Sequence, residues 1–531
     1  MLASSLSKRI TVIIITTFIL YLVFRDQLWS LETPVFLQEP LAGFTISTSH
    51  ATSSNELASL KPTNQANSTE QGIQISNFIR RLNEAAPPEL SQPAVCVGRT
   101  LGIEEVTNDT ERRDVTPVSD EQVQAARTAH ENVVEMIRNS SHIVPYTPKS
   151  KGIVTVAGGR FTGALLVSLR MLRRTNSTLP VEVFMPNPED YNKYTCEVVL
   201  PSLNARCVII PQYEGLTIAK YQYKIFAVIL SSFEDVLFLD ADNFPIVDPV
   251  EWMEARGFKD TGYVLWPDFW WATTSPHYFS VLSLPTPSLL SLGTTESGQI
   301  IISKRTHSEV LLLVLYYNIY GPSFYYPLLT QCDAGEGDKE TWLYAAIALA
   351  VPYFQVREKN GIIGHNSHDG FHSASMLQHN PSDDYAIFLR EGKDKVRHPV
   401  YRINESAEVV FMHHNLVKLS PVDMMVWIKA NKGRMWGDRQ STMNRFGGRD
   451  LENGVWEELV GVACEYGDGL EGWSSGVCEG LRGHWEGVLE REAEEEEEKE
   501  KEKEKEKEKE EEGRRVVGVD GHVVEMQMKQ A

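Results

Sequence analysis

The 531 residues carry 51 Lys+Arg against 72 Asp+Glu, a formal charge of −21, with 42% hydrophobic and 9% aromatic residues. That apolar content excludes a wholly disordered chain, and 36 Gly without a triplet period exclude a collagen. No basic excess is available to displace counterions from phosphates, which argues against nucleic acid as a partner.

Taken from the N-terminus, residues 1–9 form a short tail ending in Lys8-Arg9. Ile10–Phe24 is then uncharged over 15 residues. As a helix this run spans about 22 Å, short of the ~30 Å bilayer core, but Lys8, Arg9 and Arg25 can snorkel and Tyr21 and Trp29 can sit at the interface. No small-residue cleavage site follows, so the expectation is an uncleaved, single-pass signal anchor, with a cleaved signal peptide as the alternative. Positive charge ahead of the span places the bulk of the chain in the lumen. Residues 25–118, rich in Ser, Thr, Asn, Gln and Pro, read as a stem. Sequons at Asn67, Asn108, Asn139, Asn176 and Asn404 agree with a lumen, as does an even set of six cysteines without C-x-x-C. Cys196–Cys207 and Cys464–Cys478 are the nearest neighbours and the preferred pairs.

Ser119 followed by Gln122 is a capping box. Val123, Ala126, His130, Val133, Val134 and Ile137 then recur at helical spacing, opening a domain over 119–445. The short apolar runs Ile153–Ala157, Val181–Met185, Cys207–Ile210 and Val236–Leu239 read as strands. They alternate with helix-like Thr162–Arg174, Asp190–Leu200 and Ile218–Ser232. This pattern predicts an α/β fold with a mostly parallel sheet, whose ligands bind at the carboxyl ends of strands. Two such ends stand out: Gly158-Gly159-Arg160, and Asp240-Ala241-Asp242-Asn243 after Leu239.

Strand alternation would turn Asp240 and Asp242 to one side, where both can approach a divalent cation; a solvated turn is the alternative. A similar pattern opens the haloacid-dehalogenase phosphatases. Those need a second acidic pair at the end of an apolar strand, and Asp383-Asp384 is not so placed. Residues 446–489, Gly- and Glu-rich, read as an appendix. Residues 490–531 read as a charged tail, disordered or transiently helical, since the 15 Glu, 6 Lys and 1 Arg of Glu490–Glu512 leave nothing to bury.

Five ordered blocks then become specific. They are Lys220–Pro249 (KYQYKIFAVILSSFEDVLFLDADNFPIVDP), Gly262–Phe279 (GYVLWPDFWWATTSPHYF), Glu296–Lys304 (ESGQIIISK), Gly337–Ala345 (GDKETWLYA) and Phe411–Pro421 (FMHHNLVKLSP). Together they resemble the fungal Golgi α-mannosyltransferases of glycosyltransferase family 71 over residues 150 to 440. Asn243 and Ser275-Pro276-His277 look more like the α-1,2 branch-initiating members than the α-1,3 members. The resemblance implies a GT-A fold, GDP-mannose as donor, Mn²⁺, a mannan or N-glycan acceptor, retention of configuration and a type II Golgi topology, with a mannosyltransferase complex as a possible assembly. It also implies the site: Asp240 and Asp242 with His413 or His414 on the metal; Gly158, Gly159, Arg160, Lys220, Tyr221, Lys224 and Lys418 toward the nucleotide diphosphate; Trp266, Asp268, Glu296, Ser297, Gly298 and Gln299 toward the sugar; and Asp338 or Glu340 beneath the anomeric carbon. Read as residues alone, the two glycines are equally an ordinary strand-to-helix turn, Lys220 and Lys224 a solvated basic face, Trp266 a core aromatic, and Asp338 and Glu340 the acidic first turn of a helix. A different class stays open, a non-catalytic luminal scaffold that keeps the fold. The acceptor and the metal-bound histidine of the pair are not legible.

Overall fold

The computed structural model describes residues 70–90, 101–102, 106–107, 110–271, 273–289, 293–332, 335, 337–391 and 407–517. The anchor at 10–24, Cys96 and the sequons at Asn67, Asn108 and Asn404 lie outside them. The chain divides into two units after Thr63, and every described residue belongs to the second. Among the described residues no helix is long and apolar enough to cross a membrane.

The main sheet has seven strands. In chain order they are β1 (Thr147–Val156), β2 (Val181–Met185), β3 (Ala205–Ile209), β4 (Phe233–Leu239), β6 (Tyr263–Pro267), β7 (Thr295–Ser303) and β8 (Phe354–Gln355); β5 (Asn243–Pro245) goes elsewhere. Their spatial order is β8-β6-β7-β4-β1-β2-β3, parallel except for β7, which runs antiparallel to β6 and β4. The mostly parallel α/β sheet read from the sequence is therefore present. Strands β2, β4, β6 and β7 are buried on both faces, which explains their continuous apolar runs. Leu237 and Leu239 of β4 join one core, and Val236 and Phe238 the other. Helices α3 (Thr162–Arg174) and α7 (Leu451–Tyr466) supply the first core. Helices α2 (Asp120–Arg138), α4 (Tyr223–Leu230), α5 (Lys304–Ile319) and α6 (Lys339–Ala348) supply the second. The capping box is formed at Ser119 and Gln122.

Two stretches differ from their sequence reading. Within the supposed stem, α1 (Glu70–Arg81) turns Ile75, Phe78 and Ile79 into the second core, and Leu82, in the 3-10 turn that follows, joins them. Their i, i+3, i+4, i+7 spacing is an amphipathic stripe hidden in polar composition. Within the supposed appendix, α7 buries Val455, Trp456 and Leu459 in the first core. The guanidinium of Arg170 on α3 meets Glu458 at 2.5 Å, and Arg174 meets Glu457 at 2.7 Å. Partly exposed pairs of this kind add at most about 1 kcal/mol each, so the buried Trp456, by area alone, anchors the helix. The structure pairs Cys196 with Cys207 and Cys464 with Cys478. Asn139 and Asn176 are exposed. The Glu/Lys segment is helical, Arg491–Val517.

A second sheet is antiparallel, in the order β9 (Gly361–Ser367), β10 (Gly370–His379), β11 (Val409–His413), β5. Because β5 follows β4 after a single turn, the chain passes from one sheet to the other through Asp240-Ala241-Asp242. Functional side chains gather at that crossing.

Candidate active site

The crossing is a turn, not continued strand: the Asn243 amide donates to the Asp240 carbonyl at 3.0 Å, and the Asp240 amide to the Gly298 carbonyl at 2.9 Å. Asp240 and Asp242 come together by this turn, not by the alternation expected from the sequence. Register fixes their third partner. His413 ends β11 opposite Asn243, and the His414 amide donates to the Asp242 carbonyl at 2.9 Å. His413 Nε2 then lies 3.3 Å from Asp242 Oδ1 and 3.9 Å from Asp240 Oδ2. One ligand atom from each of the three residues falls within 4.8 Å of the others. Two carboxylate oxygens and an imidazole nitrogen are a donor set that suits Mn²⁺-like cations. These residues fit the metal that the sequence implied.

His414 has the other fate. It is fully buried, stacked on Phe244 at 6.0 Å between centroids, tilted against Trp436 at 5.7 Å, and its Nδ1 faces the Val417 carbonyl. Burial holds its pKa down, at about 3, so it is a neutral core histidine, and geometry brings His413, not His414, to the acidic pair.

Charge around the acidic pair is balanced by side chains. Lys224 Nζ donates to Asp240 Oδ2 at 2.9 Å and Ser297 Oγ at 3.1 Å, and lies 3.8 Å from Asp338. Lys418 pairs with Asp242. Burial opposes the charge on Asp242, but His413 and Lys418 outweigh it and hold the carboxyl well below its usual range. Burial also opposes the charge on His413, yet Glu296 and Asp242 raise it to about 10. Glu296 Oε1 stands 3.3 Å from His413 Nδ1, so the ring is held between carboxylates on both sides. Gly298 makes this possible: a Cβ there would sit 2.5 Å from His413 Cε1.

These groups line a cavity of about 940 Å³. Of the residues singled out from the sequence, Tyr221, Lys224, Asp240, Asp242, Asp268, Glu296, Ser297, Asp338, His413 and Lys418 face it. Asp338 accepts from Trp342 Nε1 at 2.9 Å, and Asp268 meets Lys339 at 2.5 Å. Others do not face it. Trp266 is fully buried, donates to the His379 carbonyl at 2.9 Å and sits edge-on to Phe411; it is core, not a sugar platform. Gln299 is buried against Asn243. Glu340 is buried behind the cavity, accepting from the Thr295 amide at 3.2 Å, and burial raises its carboxyl to about 8. Gly158, Gly159, Arg160 and Lys220 do not line the cavity; Cβ atoms at the two glycines would meet Asp190 and Glu471. Met376, Asn360 and Ile362 line it without belonging to any residue pattern that marks chemistry, and Lys339, inside the Gly337–Ala345 block but given no role from the sequence, lines it too.

With the fold and the geometry of the cavity in place, comparisons with known proteins find mannosyltransferases. Residues 150–292 and 289–380 match the family described as "Mannosyltransferase putative". Within that class the likeness narrows further. The chain is 35% identical over 422 residues to alpha-1,2-mannosyltransferase MNN21 of Candida albicans, covering 67% of this chain and 63% of that protein. It is 36% identical over 313 residues to alpha-1,2-mannosyltransferase MNN2 of Saccharomyces cerevisiae, covering 51% and 52%. The chain thus spans between about half and two thirds of these relatives' length. The resemblance to fungal α-mannosyltransferases holds, and the α-1,2 type is the one favoured. A solved galactosyltransferase, LgtC, aligns over 51% of this chain and 89% of its own at 12% identity, with a TM-score of 0.31.

Proposed function

We propose that this chain is an α-1,2-mannosyltransferase of GT-A type that transfers mannose from GDP-mannose to a mannose-bearing glycan, with retention. The observation that carries the reading is the convergence of Asp240, Asp242 and His413 at the crossing of two sheets, inside a cavity and flanked by lysines. Similarity to α-1,2-mannosyltransferases supports the linkage. When bound there, Mn²⁺ supplies positive charge against the departing diphosphate. Lys418, at the cavity's rim, and Lys224, deeper in, hold the carboxylates when no cation is present and offer their ammonium groups to phosphate when one is. Ser297 and Asp338 hydrogen-bond each other at 3.3 Å and, with Asp268, place acceptors for sugar hydroxyls around the cavity. Lys339 neutralises Asp268 and fixes its carboxylate in place. The anchor at 10–24 and a Golgi lumen complete the proposal on sequence grounds alone.

The test is GDP release from GDP-mannose by the purified chain with Mn²⁺ and with chelator. Turnover with the metal and none without it is expected. Failure to turn over with any mannoside acceptor, in a folded protein, would falsify the transferase reading and leave the scaffold.

A further inference from the structure

We infer that Asn360 reads the hydroxyl groups of the acceptor sugar, an inference that rests on the transferase reading above. Ile362, Met376 and His413 are successive cross-strand partners on β9, β10 and β11, and all three face the cavity. Adjacent strands lie about 4.8 Å apart, so this row leads about 10 Å away from the imidazole that joins the cation set. Asn360 precedes Ile362 by two residues and lines the same cavity. It therefore stands at the far end of the row from Asp242 and Lys418, where the diphosphate belongs.

The Asn360 side chain is 3% exposed, and neither its Oδ1 nor its Nδ2 has a hydrogen-bond partner. A buried amide left unmet at both ends carries its full desolvation penalty. An apolar residue would serve the fold better there, so the amide is kept for something that enters the cavity. Both atoms are shielded by the cavity wall, so a turn of the side chain is what presents them, an acceptor and a donor side by side, to two neighbouring hydroxyls of a pyranose. Ile362 and Trp270, also on the cavity wall, offer apolar surface to the sugar's C–H faces. Nearby Arg445 is committed to the wall, donating to the Ile362 carbonyl at 2.9 Å. A site built to bond a hydroxyl rejects the analogue that lacks it far more strongly than an apolar pocket does.

The experiment uses the full chain and Asn360→Ala, with GDP-mannose, Mn²⁺, methyl α-mannoside and its monodeoxy analogues. Acceptor-free GDP release, in which water takes the mannosyl group, and the KM for GDP-mannose should be unchanged. The acceptor KM should rise about tenfold, and the wild-type penalty for one deoxy analogue should shrink by a similar factor, because that hydroxyl has lost its partner. Unchanged acceptor KM and discrimination, or a raised KM for GDP-mannose, overturns the inference. A wild-type chain that releases no GDP under any condition overturns the transferase reading instead, so the two failures are distinct. If Asn360→Ala does not fold by thermal melting, Asn360→Asp, which keeps the shape and removes the donor, must show the same acceptor-selective loss.

Discussion

The cavity floor and the tyrosine layer beneath α2 are both buried and both polar, but one is ionised and the other neutral. In the tyrosine layer, His130 Nε2 pairs with Tyr317 Oη at 2.8 Å, Tyr278 and Tyr317 hydroxyls meet at 3.0 Å, and Tyr278 donates to the Tyr344 carbonyl at 3.1 Å. Burial pushes the tyrosines up and pulls His130 down to about 4, so nothing there carries charge at neutral pH. At the cavity floor, desolvation is opposed by partners of opposite sign, so Asp242, His413 and Lys224 are charged there, His413 until a cation takes the place of its proton. A neutral network closes on itself and holds two elements together. A charged one costs desolvation that a stable core avoids, and it is open on the cavity side. The contrast shows that burial of polar groups does not make a site; buried charge facing a cavity does.

The sharpest way to break this contrast is Asp242→Asn, which keeps the shape and removes a charge. Metal-dependent GDP release should fall by about a thousandfold or more, in line with several kcal/mol of lost charge stabilisation, while circular dichroism is unchanged. Retained turnover would return the acidic pair to the class of structural groups. Next, the two adjacent histidines should separate. His413→Ala should weaken Mn²⁺ binding, read by calorimetry, by at least the 10–100-fold typical of groups that merely orient ligands. His414→Phe should leave Mn²⁺ affinity alone and move only the melting temperature. Equal effects on affinity would merge the core histidine with the site. Gly298→Ala drives a methyl into the His413 ring and should cost about tenfold in Mn²⁺ affinity with the fold intact.

The last test concerns the neutral layer and reads stability, not activity. The folded pKa of His130 lies below its unfolded value of 6.5, so above pH 6.5 it adds no pH dependence. Between 6.5 and about 4 the unfolded chain takes up the proton first, and stability falls with pH by at most about 3 kcal/mol. Denaturant midpoints at pH 7.5 and 5 should differ less in His130→Phe than in the parent; an identical drop in both would show that His130 is not kept neutral.

Much of this was legible in the sequence, but unevenly. The alternation of apolar runs and helices gave the parallel sheet, because strands buried on both faces must be apolar throughout. The acidic pair was visible as polar residues closing such a run. Which histidine joins it was not, since the choice depends on the register of β11 against β5, a contact between segments far apart in sequence. Trp266 sits in an aromatic-rich block that a sugar site and a core would write alike, and only its burial against Phe411 decides. Asn360 belongs to no residue pattern that marks chemistry; its signal is an unmet amide, which exists only in three dimensions. The stripe Ile75, Phe78, Ile79, Leu82 was readable and was masked by the polar residues around it.

The candidate cation set is divided between strands laid down at different times. Asp240 and Asp242 emerge before His413, which comes from β11, after every strand of the main sheet. A polypeptide released from the ribosome ahead of Val409 would own the acidic pair and the main sheet, yet lack the nitrogen and the strand that positions it. Nonsense alleles truncated there should therefore be silent toward sugar nucleotide however well the main sheet assembles, so the chemistry switches on only once the last strand arrives.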